Sequence, residues 1–340
     1  MHFLDTLNLK QKEKSPIWVM RQAGRYLPEY KAIRKTTPDF INFCLTPEKA
    51  CEVTLQPIRK FGFDAAIIFS DILLILSGLG RDLTFQEGKG PVLTPLQSFD
   101  ELKSIKPDVI QKYANPVAHA VKLTRCKLSG DVALIGFSGA PWTLMTYLLE
   151  GGSSRDFTLV RQFLYSEPKQ TDALLLLLCD AITEFLVIQA KAGADVLMLF
   201  DSWSGMVPSS KRDHLVTAQH QRIIQSVRDR GCYQPFIAFP KGLSEGLVSY
   251  CDNVDISCVG VDHLTDINWA ARSLRSDVAL QGNLDPLSLV AGGEQMKREV
   301  DFIMEAVKDR HHVFNLGHGI VPQTPPHHVS ELIEIVRCYD

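Results

Sequence analysis

At 340 residues, with 45% hydrophobic and 22% charged side chains, the chain has ample material for a core and reads as an ordinary globular protein. Its length suits either two domains or one large α/β barrel. A formal net charge of −3 gives no support to nucleic acid as a partner, so any anion site must be a local cluster of cations.

Apolar runs rich in branched residues predict eight short strands, and the segments between them carry helical periodicity. The first strand, 17–20, leads directly into Met20-Arg21-Gln22-Ala23-Gly24-Arg25-Tyr26. A helix over 47–61 precedes the second strand, 65–70, which ends at Asp71. The stretch 78–95 departs from the pattern and reads as irregular or hairpin-like decoration on a rim. A helix over 108–128 leads to the third strand, 132–137, followed by Ser138-Gly139-Ala140-Pro141-Trp142-Thr143, with Tyr147 about a turn and a half into the next helix. After a helix over 169–191, the fourth strand, 195–200, ends in Asp201-Ser202-Trp203-Ser204-Gly205. A helix over 209–230 brings the fifth strand, 236–239, which ends at Pro240-Lys241-Gly242; the sixth, 256–261, ends near Asp262-His263. Helices over 267–274 and 295–308 flank the seventh strand, 278–281, with Gly282-Asn283-Leu284-Asp285 at its end. The eighth, 313–316, runs into Gly317-His318-Gly319, and a last helix covers 326–337.

Strands alternating with helices imply parallel βαβ units, and eight of them imply a closed (β/α)8 barrel of the TIM type rather than an open doubly wound sheet. No Gly-x-Gly-x-x-Gly turn follows an early strand, which argues against a dinucleotide site. No linker or composition break divides the chain, so 1–340 is expected to be one catalytic domain. The N-terminus lacks the basic start and apolar run of a secretory signal. No segment is expected to be apolar for long enough to span a bilayer, because the most apolar run, 173–179, is bounded by Asp172 and Asp180 and is far shorter than the ~20 residues required. Eight cysteines without a Cys-x-x-Cys pair signal neither a disulfide framework nor a zinc ribbon, and a reducing cytoplasm is the expected compartment.

In a barrel, the active site lies at the carboxyl ends of the strands. The candidates there are Arg21, Arg25, Asp71, Tyr147, Ser202 and His318. Two arginines four residues apart can grip a carboxylate through paired hydrogen bonds. Their ordinary fate is a solvated surface pair, but apolar flanks and Gly24, which lets a ligand approach the backbone, point to an anion site. Each other candidate also has a structural alternative: Asp71 as a helix cap, Ser202 as a turn residue, Tyr147 as a packed aromatic. Gly317 and Gly319 offer His318 no packing and could alternatively cradle a phosphate.

Together these residues resemble the uroporphyrinogen decarboxylase family along nearly the whole chain. The resemblance is most specific in Pro16-Ile17-Trp18-Val19-Met20-Arg21-Gln22-Ala23-Gly24-Arg25-Tyr26-Leu27-Pro28-Glu29-Tyr30. A second signature runs from Gly136-Phe137-Ser138-Gly139-Ala140-Pro141-Trp142-Thr143 through Tyr147 to Gly151, with weaker agreement at Val53-Thr54-Leu55-Gln56-Pro57 and at Asn315-Leu316-Gly317-His318-Gly319-Ile320. The resemblance implies a single distorted barrel, a homodimer, no cofactor and no metal. It also implies removal of carbon dioxide from the four acetates of uroporphyrinogen. Substrate contacts would fall on Arg21, Gln22, Ala23, Gly24, Arg25, Asp71, Tyr147, Ser202 and His318, with Asp71, Arg21, Arg25 and Tyr147 as the catalytic set.

Protonation of a pyrrole carbon must precede loss of carbon dioxide, and Asp71 is placed to stabilise the resulting cation. The proton donor stays open between Tyr147, a bound water and an arginine, the last a weak acid at neutral pH. Two alternatives are a zinc-dependent corrinoid or thiol methyltransferase of the same superfamily and a barrel that binds a tetrapyrrole without turnover. The first needs His-x-Cys after a middle strand, where this chain has Phe239-Pro240-Lys241-Gly242. The second is opposed by a carboxylate, Asp71, in a polyanion pocket.

Overall fold

The computed structural model describes residues 1–10, 14–37, 39–86, 90–96, 101 and 107–339. The strands in chain order are β1 (Ala65–Ile67), β2 (Leu83–Gln86), β3 (Gly90–Leu93), β4 (Ala133–Gly139), β5 (Val196–Asp201), β6 (Phe236–Pro240), β7 (Cys258–Gly260), β8 (Ala279–Leu284) and β9 (His312–Leu316). β1 and β4 to β9 form one parallel sheet in that order, with helical returns between neighbours. These strands are buried along their lengths because helices cover the outer face and barrel-filling side chains the inner one, which is why they read as continuous apolar runs.

Segment 16–20 closes the ring between β9 and β1. Trp18 N–H donates to the Phe314 carbonyl at 3.3 Å and Phe314 N–H to that of Pro16 at 2.8 Å, while Asp64 N–H donates to the Ile17 carbonyl at 3.0 Å. The sequence predicts a strand over 17–20, yet only Ile17 forms a ladder bridge, with Phe314. Side chains take the amides that a regular ladder would pair: Ile17 N–H donates to the Asp64 carboxyl at 2.7 Å and Met20 N–H to Asn315 Oδ1 at 3.1 Å. Pro16 has no amide to give. The result is an eight-membered barrel distorted at its first strand.

The helices Pro47–Phe61, Pro107–Lys127, Ile267–Ser273, Gly293–Ala306 and Pro326–Cys338 lie where the periodicity predicts them, within two residues at each end. The predicted helix over 209–230 is instead a 3₁₀ turn (Ser209–Lys211), a π turn (Asp213–Thr217) and then the helix Ala218–Asp229. Gln219 accounts for part of this break, because its side-chain amide donates to the His214 carbonyl at 2.8 Å. The stretch 78–95 contains the antiparallel hairpin of β2 and β3. This hairpin is tied to the end of the helix Pro141–Glu150 by Leu93 N–H donating to the Gly151 carbonyl at 2.8 Å.

One expectation is corrected. The helix Pro168–Lys191 is long and apolar enough by length and composition to cross a membrane, because Asp172 and Asp180 interrupt its apolar character without ending the helix. Of its most apolar window, 67% is buried inside the protein, where the helix packs against Pro107–Lys127, Ala218–Asp229 and β4.

Candidate active site

The ends of the strands surround a cavity of about 800 Å³. Arg21, Ala23, Gly24, Arg25, Asp71, Tyr147, Ser202 and His318 all line it. Gln22 does not: it is fully buried, and its Nε2 donates to the Ala65 carbonyl at 3.2 Å. The Gln22 carbonyl in turn accepts from the Tyr26 hydroxyl at 2.8 Å. Gln22 thus braces the arginine loop against β1, and its neighbours on either side face the cavity.

Arg21 adopts a left-handed backbone conformation, φ 63°. A non-glycine residue in that region carries strain of order 1–3 kcal/mol and holds it only when its surroundings fix it. Here the Gln22 brace and the Gln22 N–H bond to the Val19 carbonyl (3.1 Å) hold the turn. The Arg21 side chain then lies against Gly319, where a Cβ would run into its Cγ and Cδ. Neither Arg21 nor Arg25 makes a hydrogen bond or ion pair with any described residue. Both are exposed toward solvent and cavity.

Asp71 follows β1 and does two things. Its Oδ1 accepts the Leu73 N–H at 2.9 Å, closing the turn that leads into the helix Leu74–Gly78; the cap position itself is Leu73 and has no side-chain cap bond, so Asp71 is a turn residue rather than the helix cap. Burial raises its carboxyl above the ordinary 3.8, opposed by the Leu73 amide and by the positive charge of Arg21. Tyr147 is pushed up from 10 by burial, and the Asp71 charge acts in the same direction while Trp203 and Arg21 act against it. Ser202 sits on the turn after β5.

His318 is held down to about 3 by burial first and then by the charges of Arg21, Lys241 and His263. The imidazole is therefore neutral near pH 7 and can donate from one nitrogen while accepting at the other. Gly317 and Gly319 are not a phosphate cradle. A Cβ at Gly317 would strike the His263 main chain, and one at Gly319 would strike Arg21. The two glycines make room for protein atoms that press on both sides of His318.

Sequence reasoning missed other parts of this lining. Arg34 enters from the helix Pro28–Lys35, with its guanidinium 5.6 Å from the Phe40 ring centroid and 5.7 Å from that of Phe43. Phe40 contacts Phe85 of β2 at 4.4 Å between centroids, and Phe137, Phe200 and Phe239 form a chain at 5.5 and 6.3 Å. No spacing rule links Arg34 to the arginine pair. The only available signal was its position on the helix that Pro28 starts. Among the described lining residues, the charges are Arg21, Arg25 and Arg34 against Asp71. Three cations and one poorly solvated carboxyl in a cavity walled by aromatic rings suit an organic polyanion.

The chain matches the family model described as "Uroporphyrinogen decarboxylase (URO-D)" over residues 1–339. It is 42% identical over 336 residues to the uroporphyrinogen decarboxylase of Rhodospirillum rubrum, covering 99% of this chain and 97% of that protein. It is 43% identical over 334 residues to that of a Chelativorans species, covering 98% and 97%. Among solved structures, a methyltransferase from Methanosarcina mazei superposes with a TM-score of 0.82 at 17% identity, covering 99% of this chain and 97% of that one, a likeness of fold alone. The match extends from the arginine loop through the last helix, and the chain belongs to the uroporphyrinogen decarboxylase family.

Proposed function

We propose that the protein decarboxylates the four acetate side chains of uroporphyrinogen III to methyls, giving coproporphyrinogen III and carbon dioxide on the route to haem. The observation that carries this is a single under-solvated carboxyl, Asp71, sharing a cavity with Arg21 and Arg25, which have no hydrogen-bond or ion-pair partner among the described residues.

Each acetate takes up one proton and releases one carbon dioxide. A pyrrole carbon is protonated first, which turns the ring into a cation able to accept the electron pair of the breaking C–C bond. Loss of carbon dioxide leaves an exocyclic methylene; protonation of that carbon gives the methyl, and release of the proton first added to the ring carbon restores the neutral pyrrole, so that one proton is taken up net. Asp71 accepts hydrogen bonds from pyrrole N–H groups. Its attraction is greatest when the ring is cationic, so it stabilises the intermediate more than the substrate. A carboxylate lifted by burial gains more from a nearby cation than a well-solvated one. Arg21, Arg25 and Arg34 hold substrate carboxylates, and neutral His318 adds a hydrogen-bonding contact without a charge. The apolar wall of Phe137, Phe200 and Phe239 receives the macrocycle face. These steps draw on this chain's side chains and water, and we read residues 1–340 as one catalytic domain working in the cytoplasm. A homodimer is the proposed assembly, and the exposed Leu264 on the loop after β7 and Leu287 in the helix Pro286–Ala291 after β8 offer apolar surface for it.

Steady-state kinetics separates the two roles. Asp71→Asn should lower kcat on the order of 100-fold or more with KM nearly unchanged. Arg25→Ala should raise KM by about 10- to 100-fold, the loss of one charge-assisted hydrogen bond. Full turnover in the Asp71 variant would remove cation stabilisation from the scheme, and an unchanged KM and kcat in the Arg25 variant would remove the carboxylate clamp.

A further inference from the structure

Directly beneath the cavity lies a polar cluster that the proposed chemistry leaves unused. Asp201, His220, Tyr250, Thr143 and Ser204 are each fully buried. Thr143 Oγ1 donates to Asp201 Oδ1 at 2.6 Å, and His220 Nε2 lies 3.3 Å from Asp201 Oδ2. His220 Nδ1 is 2.7 Å from the Tyr250 hydroxyl. Burial pushes that phenol well above its ordinary 10, so it remains protonated and donates to Nδ1. Nε2–H is then free to donate to Asp201, and the neutral tautomer satisfies both ring nitrogens.

Such a cluster is an expensive way to fill a core. Apolar residues of similar volume often hold a fold as well or better, whereas a fully satisfied network gains rigidity and a unique geometry. Its connections run to both sides of the active site. Thr143 lies one turn before Tyr147 on the helix Pro141–Glu150, and its Oγ1 also accepts the Trp203 N–H at 3.2 Å. Trp142 Nε1 donates to the Trp203 carbonyl at 2.9 Å, and Ser204 Oγ donates to the carbonyls of Asp201 and Lys241 at 3.0 and 2.8 Å. The turn that presents Ser202 is therefore held at both ends, and the same groups hold the helix that presents Tyr147. Independently, His220 follows within one turn of the π turn Asp213–Thr217, an irregularity that changes the phase of a helix and is frequent near functional sites.

We propose that Asp201, His220, Tyr250 and Thr143 form a buried positioning network that fixes Tyr147 and the Ser202 turn relative to each other. None of the four is among the residues that line the cavity. The inference rests on the proposed decarboxylation and adds to it the residues that set the geometry of Tyr147. The mildest probe is Thr143→Val, which keeps the volume and removes both hydrogen bonds; Thr143→Ser restores them.

The experiment is a double-mutant cycle in kcat, with thermal melts of every variant. Thr143→Val alone should lower kcat about tenfold with KM within about twofold, equivalent to some 1.4 kcal/mol of transition-state stabilisation. Thr143→Ser should return most of that loss. In the Tyr147→Phe background, Thr143→Val should lower kcat by less than about twofold, because its effect passes through Tyr147. Asp201→Asn should show the same non-additivity. If it fails to fold, Thr143→Val carries the test. Equal tenfold losses in both backgrounds would overturn the network while leaving the decarboxylase reading intact. A Tyr147→Phe variant with unchanged turnover would overturn both the role of Tyr147 and the network built to hold it.

Discussion

Asp71 and His318 face one cavity, and burial moves them in opposite directions on the pH scale. The Asp71 carboxyl lies above its ordinary 3.8, so between that value and its raised one the native state binds protons more readily than the unfolded chain. The ionised form therefore lowers stability as pH rises through this window. Asn can keep the bond from the Leu73 N–H without the charge, so Asp71→Asn should raise the melting temperature of the unliganded protein more at high pH than at low pH, while lowering turnover. A lower melting temperature would mean that the carboxylate is not strained in the native state. The same shift predicts an acidic limb in kcat/KM above 3.8, absent from the residual activity of the Asn variant. His318 has the opposite sign. Its native value of about 3 lies below the ordinary 6.5, so stability present above 6.5 is lost as pH falls toward 3. His318→Asn should flatten the stability-versus-pH slope between 6.5 and 3, as read from denaturant melts, and an unchanged slope would place His318 in water.

The exit loop of β9 shows how one element serves both fold and site. Gly317 accommodates the His263 main chain, which cannot move without disturbing the end of β7. Gly319 accommodates the methylenes of a flexible arginine. The two alanine substitutions should therefore part company. Gly317→Ala should destabilise the protein by about 1–3 kcal/mol through overpacking. Gly319→Ala should leave the melt nearly unchanged and raise KM by displacing Arg21. Equal effects of both variants on stability would show that Arg21 is as rigidly packed as the His263 backbone. The segment before β1 makes a related trade, since the amides that Asp64 and Asn315 take from Ile17 and Met20 release the chain into the strained turn at Arg21.

At the scale of the whole molecule, the barrel was readable because strands covered on both faces must be apolar and the helices between them must show periodicity. The first strand was overdrawn because nothing in the order of residues shows that side chains of Asp64 and Asn315 will take its amides. Likewise, the helix over 169–191 was legible, but its apolar character was cut short at Asp172 and Asp180, which it carries on its surface. The cavity residues that follow strands were legible from position alone: Arg21, Arg25, Asp71, Ser202 and His318. Arg34, Phe40 and Phe85 were not, since they reach the cavity from a helix, a short helix and a rim hairpin that the barrel pattern does not place. The Asp201–His220–Tyr250 cluster joins the end of β5, the helix that follows it and the helix after the neighbouring β6, residues far enough apart in sequence that no spacing pattern links them.

A barrel does not by itself specify an activity, so the proposed role of the residues at the mouth has to be tested on the reaction itself. The most direct measurement is therefore anaerobic incubation of the purified protein with uroporphyrinogen III, with carboxyl groups on the porphyrin counted by mass spectrometry after oxidation. The prediction is progressive loss from eight carboxyls to four with release of carbon dioxide, and retention of all eight in the Asp71→Asn variant over the same period. A product that keeps eight carboxyls with the native protein, or one that loses them equally fast with the variant, would contradict it.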